Sequence, residues 1–264
     1  ENPEYSLKVL DSAAQAGADV LALCDTNGGC LPEQIYDITK KVCEEFPQVT
    51  IGIHTHNDSD CAVASSLASV RAGCRHVQGT INGLGERCGN ANLCTIIPNL
   101  TYKMGYNALS EDKLKNLTEV SRTISEVANL LPPTNMPYVG ESAFAHKAGL
   151  HVNALRKNKK TYEHIEPEMV GNERRFLVSE LSGRSNILAK LEKGGQTFDK
   201  QTVSKILNQV QELESEGYQF EAADASFDLL VKKTVGDFKP SFQLLKYHVS
   251  FDQVEDRETN TEAT

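Results

Sequence analysis

Between Ala18 and Ile81 the chain repeats one pattern: a short apolar run, a loop of glycine and polar residues, and an amphipathic helix. Ala18 to Cys24 is long enough for a buried strand and empties into Asp25-Thr26-Asn27-Gly28-Gly29. Pro32 opens a helix with Ile35, Ile38, Val42 and Phe46 on one face, and Val49 to Ile53 is the next strand, ending at His54. Ser59 to Ala72 is read as a helix closed by Gly73, and His76 to Ile81 as a strand running into a loop at Gly83. A first helix precedes them, with Asn2 and Pro3 as cap and opening turn and Gly17 as its stop. Strands and helices alternating in this way imply a parallel sheet with right-handed crossovers.

An open doubly wound sheet and a (β/α)8 barrel both satisfy that pattern. A barrel collects polar residues at the C-terminal ends of several strands. Thr26, His54 with His56, and the Asn90 loop fall at such ends in successive units. The expected fold class is therefore α/β: the C-terminal part of a (β/α)8 TIM barrel, followed by a mainly helical linker subdomain. Residues 1–108 would be the last three βα units. Because a full barrel needs about 250 residues, the other units are expected upstream. The absence of an initial methionine and the polar run from Glu255 to Thr264 fit a piece of a longer protein. An open edge at the first strand would then drive self-association.

From residue 109 the texture changes to helices. Ser110 to Leu130 is amphipathic and is broken by Pro132-Pro133; Ser142 to Asn158, Ser185 to Lys193, Asp199 to Glu216 and Glu221 to Val235 also read as helical. Ser241 to Asp252 alternates like a strand. Residues 109–238 are assigned to helical linker subdomains and 239–264 to the start of a C-terminal regulatory domain.

A net charge of −9 argues against nucleic acid or an anionic membrane as a partner. The densest basic run, Arg156 to Lys160, reads as a solvated helix end. Seven cysteines without CxxC spacing suit a reducing compartment, no stretch approaches a membrane span, and the expected location is cytoplasmic.

Chemistry concentrates in Gly52-Ile53-His54-Thr55-His56-Asn57-Asp58 and Gly83-Leu84-Gly85-Glu86-Arg87-Cys88-Gly89-Asn90-Ala91-Asn92. Side chains two apart on a strand share a face, so His54 and His56 can reach one ion, and a side-chain oxygen from Asn90 can supply a third ligand. Mixed nitrogen and oxygen ligation admits Zn, Mn, Co or Mg. The three glycines allow close approach to a ligand, with phosphate cradling as a rival reading. Glu86 and Arg87 are read as an internal ion pair fixing the loop.

Together with Ala145-His146-Lys147-Ala148-Gly149-Leu150-His151, these segments resemble the 2-isopropylmalate, homocitrate and citramalate synthases. The stretches Tyr162 to Pro167, Val170 to Arg175 and Ser179 to Asn186 look most like the citramalate synthase branch. The resemblance implies an acyltransferase that condenses acetyl-CoA with a 2-oxo acid, most naturally pyruvate, in branched-chain amino-acid biosynthesis. It implies a divalent metal on His54, His56 and Asn90, oxo-acid binding by Thr26, and proton transfer by His151 with Tyr162. It also implies a homodimer whose linker subdomain lies over the partner's active site. His146 is read as structural.

The family's DRE motif on the first barrel strand and an upstream glutamate are not in residues 1–108, the barrel part of this sequence. The isolated chain is therefore expected to bind metal weakly and not to turn over. The alternatives are a 2-isopropylmalate or homocitrate synthase, a metal-dependent lyase or aldolase of the same superfamily, a metal-dependent hydrolase barrel, and a non-enzymatic dimerisation module.

Overall fold

Asn2 accepts the Tyr5 amide at 3.1 Å through its side-chain oxygen, so helix α1 (Pro3–Gln15) begins where the Asn-Pro pair places it. The computed structural model describes residues 2–177, 184–220, 223–240, 243, 245–246, 248–252 and 260–263. Strand β1 (Val20–Asp25), helix α2 (Pro32–Glu45), strand β2 (Thr50–Thr55), helix α3 (Ala62–Ala72) and strand β3 (His76–Gln78) follow in the alternation anticipated. The strands are parallel in the order β1-β2-β3, with Cys24 opposite His54 and His54 opposite Gln78. Leu21 and Ile51 pack with Val42 of α2 and Leu7 and Leu10 of α1, while Ile53 packs with Ile35, Leu23 and Val77. The alternate positions, Ala22, Cys24, Gly52, His54, His76 and Gln78, therefore lie on the other face of the sheet, which is small and polar.

Beyond β3 the chain continues through helix α4 (Leu93–Pro98), a π turn (Asn99–Lys103) and helices α5 (Glu111–Leu114) and α6 (Leu117–Val127). Strand β4 (Ala145–His146), helix α7 (Gly149–Lys157) and strand β5 (Arg175–Phe176) complete this part. Cys94, Leu114, Leu117, Tyr138, Val139, Phe144 and Val170 form one buried cluster that spans residue 108.

Several boundaries differ from the sequence reading for identifiable reasons. The helix expected from Ser110 to Leu130 is interrupted at Lys115-Asn116, where the turn at Pro167–Val170 docks and Thr118 donates to the Val170 carbonyl at 2.8 Å. Ser142 to Asn158 is not helical throughout. Ala145 and His146 instead pair in parallel with Arg175 and Phe176, and the helix starts only at Gly149. The third strand stops at Gln78 rather than Ile81, because Thr80 bridges to Asn92 and a tight turn follows at Ile81–Gly83. Helix α3 starts at Ala62 rather than Ser59, whose amide and hydroxyl both bond to the Gly28 carbonyl.

The chain divides into two compact units, Glu1–Phe176 and Leu177–Thr264. In the second, helices α8 (Arg184–Lys193), α9 (Lys200–Ser215) and α10 (Asp224–Val235) enclose Ile187, Val203, Ile206, Val210, Phe227 and Val231. Each such side chain contributes about 1.5–3 kcal/mol when fully buried. Strand β6 (Val249–Asp252) pairs antiparallel with β7 (Asn260–Ala263), so the strand read at Ser241 to Asp252 is present in its last four residues. Of that stretch, residues 241, 242, 244 and 247 lie outside the described residues, as do 178–183, which hold most of the Ser179 to Asn186 motif. Among the described residues no helix is long and apolar enough to cross a membrane, and all seven cysteines are free thiols.

Candidate active site

Strand β2 delivers His54, and the chain reaches His56 one residue past the strand end, their ring centroids 5.1 Å apart. The intervening Thr55 faces the helices, its hydroxyl donating to the Ala62 carbonyl at 2.9 Å. His56 then forms an antiparallel bridge with Asn90, flanked by Ala91 N–H to Thr55 C=O at 3.1 Å and Asn57 N–H to Gly89 C=O at 2.9 Å. Directly opposed residues in such a pair project to the same side, so the His56 ring and the Asn90 amide stand together.

The Asn90 amide nitrogen donates to the Leu84 carbonyl at 3.0 Å, which leaves its oxygen as a free acceptor. His56 Nδ1 and Asn90 Oδ1 are both buried and without a hydrogen-bond partner. Leaving a buried polar atom unsatisfied costs about 1–3 kcal/mol. Two such atoms on adjacent, same-facing residues beside a second imidazole fit a divalent cation held by nitrogen and oxygen donors. Zn, Mn, Co and Mg all accept that donor set. Among the described residues no group of three His, Cys, Asp or Glu side chains is placed to hold a metal, so the third protein donor available is the Asn90 amide oxygen.

The glycines of the second motif serve the loop's own folding. Gly89 has φ +90° and a side chain there would strike the Gly83 carbonyl, while a side chain at Gly85 would strike the Asn90 amide. Glycine is what lets the loop close tightly enough to aim Asn90. The expected Glu86–Arg87 ion pair is present but long and open to solvent, with Nη1 3.8 Å from a Glu86 carboxylate whose side chain is 86% exposed. Arg87 bonds more closely to Asp58, with Nε–Oδ1 2.8 Å and Nη2–Oδ2 3.0 Å, and to the Thr26 carbonyl at 2.9 Å. These bonds hold the Asp58 carboxyl below its ordinary range. Asp58 had no assigned role in the sequence reading, although it closes the HTHND segment. Thr26 lies exposed at the end of β1, its carbonyl engaged by Arg87.

A second group forms around α7. The His151 and Tyr162 rings stack with centroids 4.1 Å apart, although eleven positions separate them in the sequence. Behind them lies the buried Glu163, which accepts from Arg174 Nε at 2.6 Å and contacts Arg174 Nη2 and His146 Nε2, the latter at 3.1 Å. Burial pushes His146 below its ordinary value of 6.5, with the hydrogen bond to Glu163 opposing. The neutral ring then donates its Nε2–H to the carboxylate. The same carboxylate raises Arg174. His146 is thus a buried structural partner, and Glu163 and Arg174 are site-supporting residues without a local sequence signal. Among the described residues, no hydrogen bond, ion pair or ring contact joins His151 or Tyr162 to His54, His56 or Asn90.

Parallel strands with an imidazole pair at one strand end beside a loop amide, followed by a mainly helical segment with a His–Tyr stack, make this an α/β chain whose donor set fits a divalent cation. Residues 1–124 match the HMGL-like family, and residues 138–218 match the homocitrate synthase post-HMGL domain-like family. With both in tandem, the chain belongs to the 2-isopropylmalate, homocitrate and citramalate synthase family.

Within that family its similarity points to the citramalate synthase branch. It is 55% identical over 250 residues to the (R)-citramalate synthase of Aquifex aeolicus strain VF5, covering 94% of this chain and 47% of that protein. It is 53% identical over 260 residues to that of Synechocystis sp. (95% and 48%) and 49% identical over 266 residues to that of Geobacter sulfurreducens (100% and 50%). The chain spans about half the length of the curated relatives it matches.

Proposed function

We propose that this chain supplies part of the catalytic barrel and the following helical subdomain of a citramalate synthase, a cytoplasmic acyltransferase joining acetyl-CoA to pyruvate. The observation that carries the reading is the pair of buried, unpartnered acceptors, His56 Nδ1 and Asn90 Oδ1, beside His54 at the strand ends. His54, His56 and Asn90 would hold a divalent ion. When bound, that ion supplies Lewis acidity toward the keto and carboxylate oxygens of the 2-oxo acid.

The protein's own contributions follow from position. Thr26, whose carbonyl is held by Arg87, would hydrogen-bond the oxo-acid carboxylate through its hydroxyl. Tyr162 offers an O–H to oxygen that gains negative charge as the carbon–carbon bond forms, and the stacked His151 relays a proton. Glu163 fixes the segment that carries Tyr162. The parallel strands β1 to β3 are read as the last three of a (β/α)8 barrel, with residues 109–238 as linker subdomains and 239–264 as the start of a regulatory domain.

Steady-state CoA release by the full-length protein tests the substrate: pyruvate should be preferred over 2-oxoisovalerate, and the reverse preference would replace this reading with a 2-isopropylmalate synthase. We also propose a homodimer in which His151 of one subunit serves the His54 site of the other. Mixing inactive His54→Ala and His151→Ala proteins should then restore about a quarter of wild-type activity, because half of the dimers would be mixed and each would hold one intact site. No recovery after subunit exchange would place both residues in one subunit's site.

A further inference from the structure

We propose that Arg87 is a positioning residue for the metal site, acting as a strap across the three loops that carry Thr26, His56 and Asn90. The inference rests on the metal reading above. Three contacts in one register form a short antiparallel pairing at the end of β2, Ala91 N–H to Thr55 C=O, the His56–Asn90 bridge and Asn57 N–H to Gly89 C=O, and the Arg87–Asp58 ion pair follows one position out of that register. The first and third contacts are main-chain bonds. The ion pair joins side chains at the open end of the pairing, two residues beyond His56 and three before Asn90.

The remaining Arg87 bond, from Nη2 to the Thr26 carbonyl at 2.9 Å, ties in the loop after β1. That loop is drawn to the same point a second time, where the Ser59 hydroxyl donates to the Gly28 carbonyl at 2.6 Å. Arg87 itself has φ +54°, the left-handed region that disfavours a side chain. Such strain persists where the surroundings over-determine the conformation, and here the guanidinium stands 2.8 Å from Asp58 and keeps only a longer 3.8 Å contact with the adjacent Glu86. A guanidinium can satisfy two carboxylate oxygens and a carbonyl at once, which a lysine ammonium does not do in the same geometry. Arg87 therefore sets the spacing of His56 and Asn90 without touching the ion.

Titration of Mn2+ alone into the metal-free full-length protein by calorimetry tests the strap, with the metal-free melting temperature measured in parallel. Arg87→Ala and Arg87→Lys should each raise the Mn2+ dissociation constant about 10–100-fold, the range found when supporting partners of metal ligands are removed. Their melting temperatures should stay at the wild-type value. Asp58→Asn should reproduce the loss, and the Arg87→Ala/Asp58→Asn double variant should lose no more than either single one. Wild-type affinity in the Arg87 variants, or losses that simply add in the double variant, overturns the strap while leaving the metal site intact. A wild-type protein that does not bind Mn2+ overturns the metal reading and the strap together.

Discussion

The rim formed by His54, His56 and Asn90 is fixed by main-chain pairing and closed by an ion pair in which Arg87 is 43% exposed and Asp58 25% exposed. The His151–Tyr162 pair is fixed the other way, by side chains, through a Glu163 carboxylate that is 2% exposed between Arg174 and His146. An exposed pair is screened by water and salt and contributes mainly geometry. A buried carboxylate must keep its partners, because removing one leaves an uncompensated charge out of water. One region leaves two buried polar atoms, His56 Nδ1 and Asn90 Oδ1, without partners, and in the other the buried carboxylate has its partners in place.

The comparison breaks most visibly at Glu163. Glu163→Ala should cost about 1–3 kcal/mol of unfolding free energy by removing the buried carboxylate shared by the partly buried Arg174 and His146, read as a lower urea midpoint. A loss under about 1 kcal/mol would show that the network does not hold that region. His56→Phe should act in the opposite sense at the rim. Replacing an unsatisfied buried nitrogen by carbon should raise metal-free stability by about 1 kcal/mol. The same variant should weaken Mn2+ binding by more than the ~10–100-fold that outer partners command. A destabilised His56→Phe protein would mean that the ring is a structural element rather than a ligand.

A smaller effect is expected from pH. Burial lowers His146 and His164 from 6.5 in the folded state, so on acidification the unfolded chain takes up these protons first. Their contribution is complete above the unfolded value and is lost as pH falls through 6.5 and on toward the folded values. Urea midpoints at about pH 7.5 and about pH 5.5 should therefore show a drop, and His146→Gln should flatten it. Smallest of all is the response of the metal-free protein to Arg87→Ala, whose melting temperature should match wild type at both low and high salt. A clear drop confined to low salt would assign the exposed pair a stabilising role.

What was legible in the sequence was what repeats locally. The alternation of Ala18 to Cys24, α2 and Val49 to Ile53 follows from runs of apolar residues at periods of two and 3.6, and the same alternation put His54 and His56 on one face. Asn90 was legible as a donor, though not its bridge to His56. The two-residue strands Ala145–His146 and Arg175–Phe176 have no periodicity to detect, and their pairing depends on a partner thirty residues away. The break between α5 and α6 comes from the docked Pro167–Val170 turn, again a distant contact. Glu86 and Arg87 are adjacent opposite charges and read naturally as a pair. That pair is present at 3.8 Å, but the closer partner is Asp58, twenty-nine positions away and invisible to local reading.

The His56–Asn90 pairing also governs which changes of length this protein tolerates. In an antiparallel pairing a slip by one position turns every following side chain to the opposite side. A single inserted or deleted residue between Thr55 and Asp58, or between Arg87 and Ala91, would point either the imidazole or the amide away from the rim even if every side chain were kept. A change of length in either stretch should therefore cost the rim its geometry, where a substitution there need not.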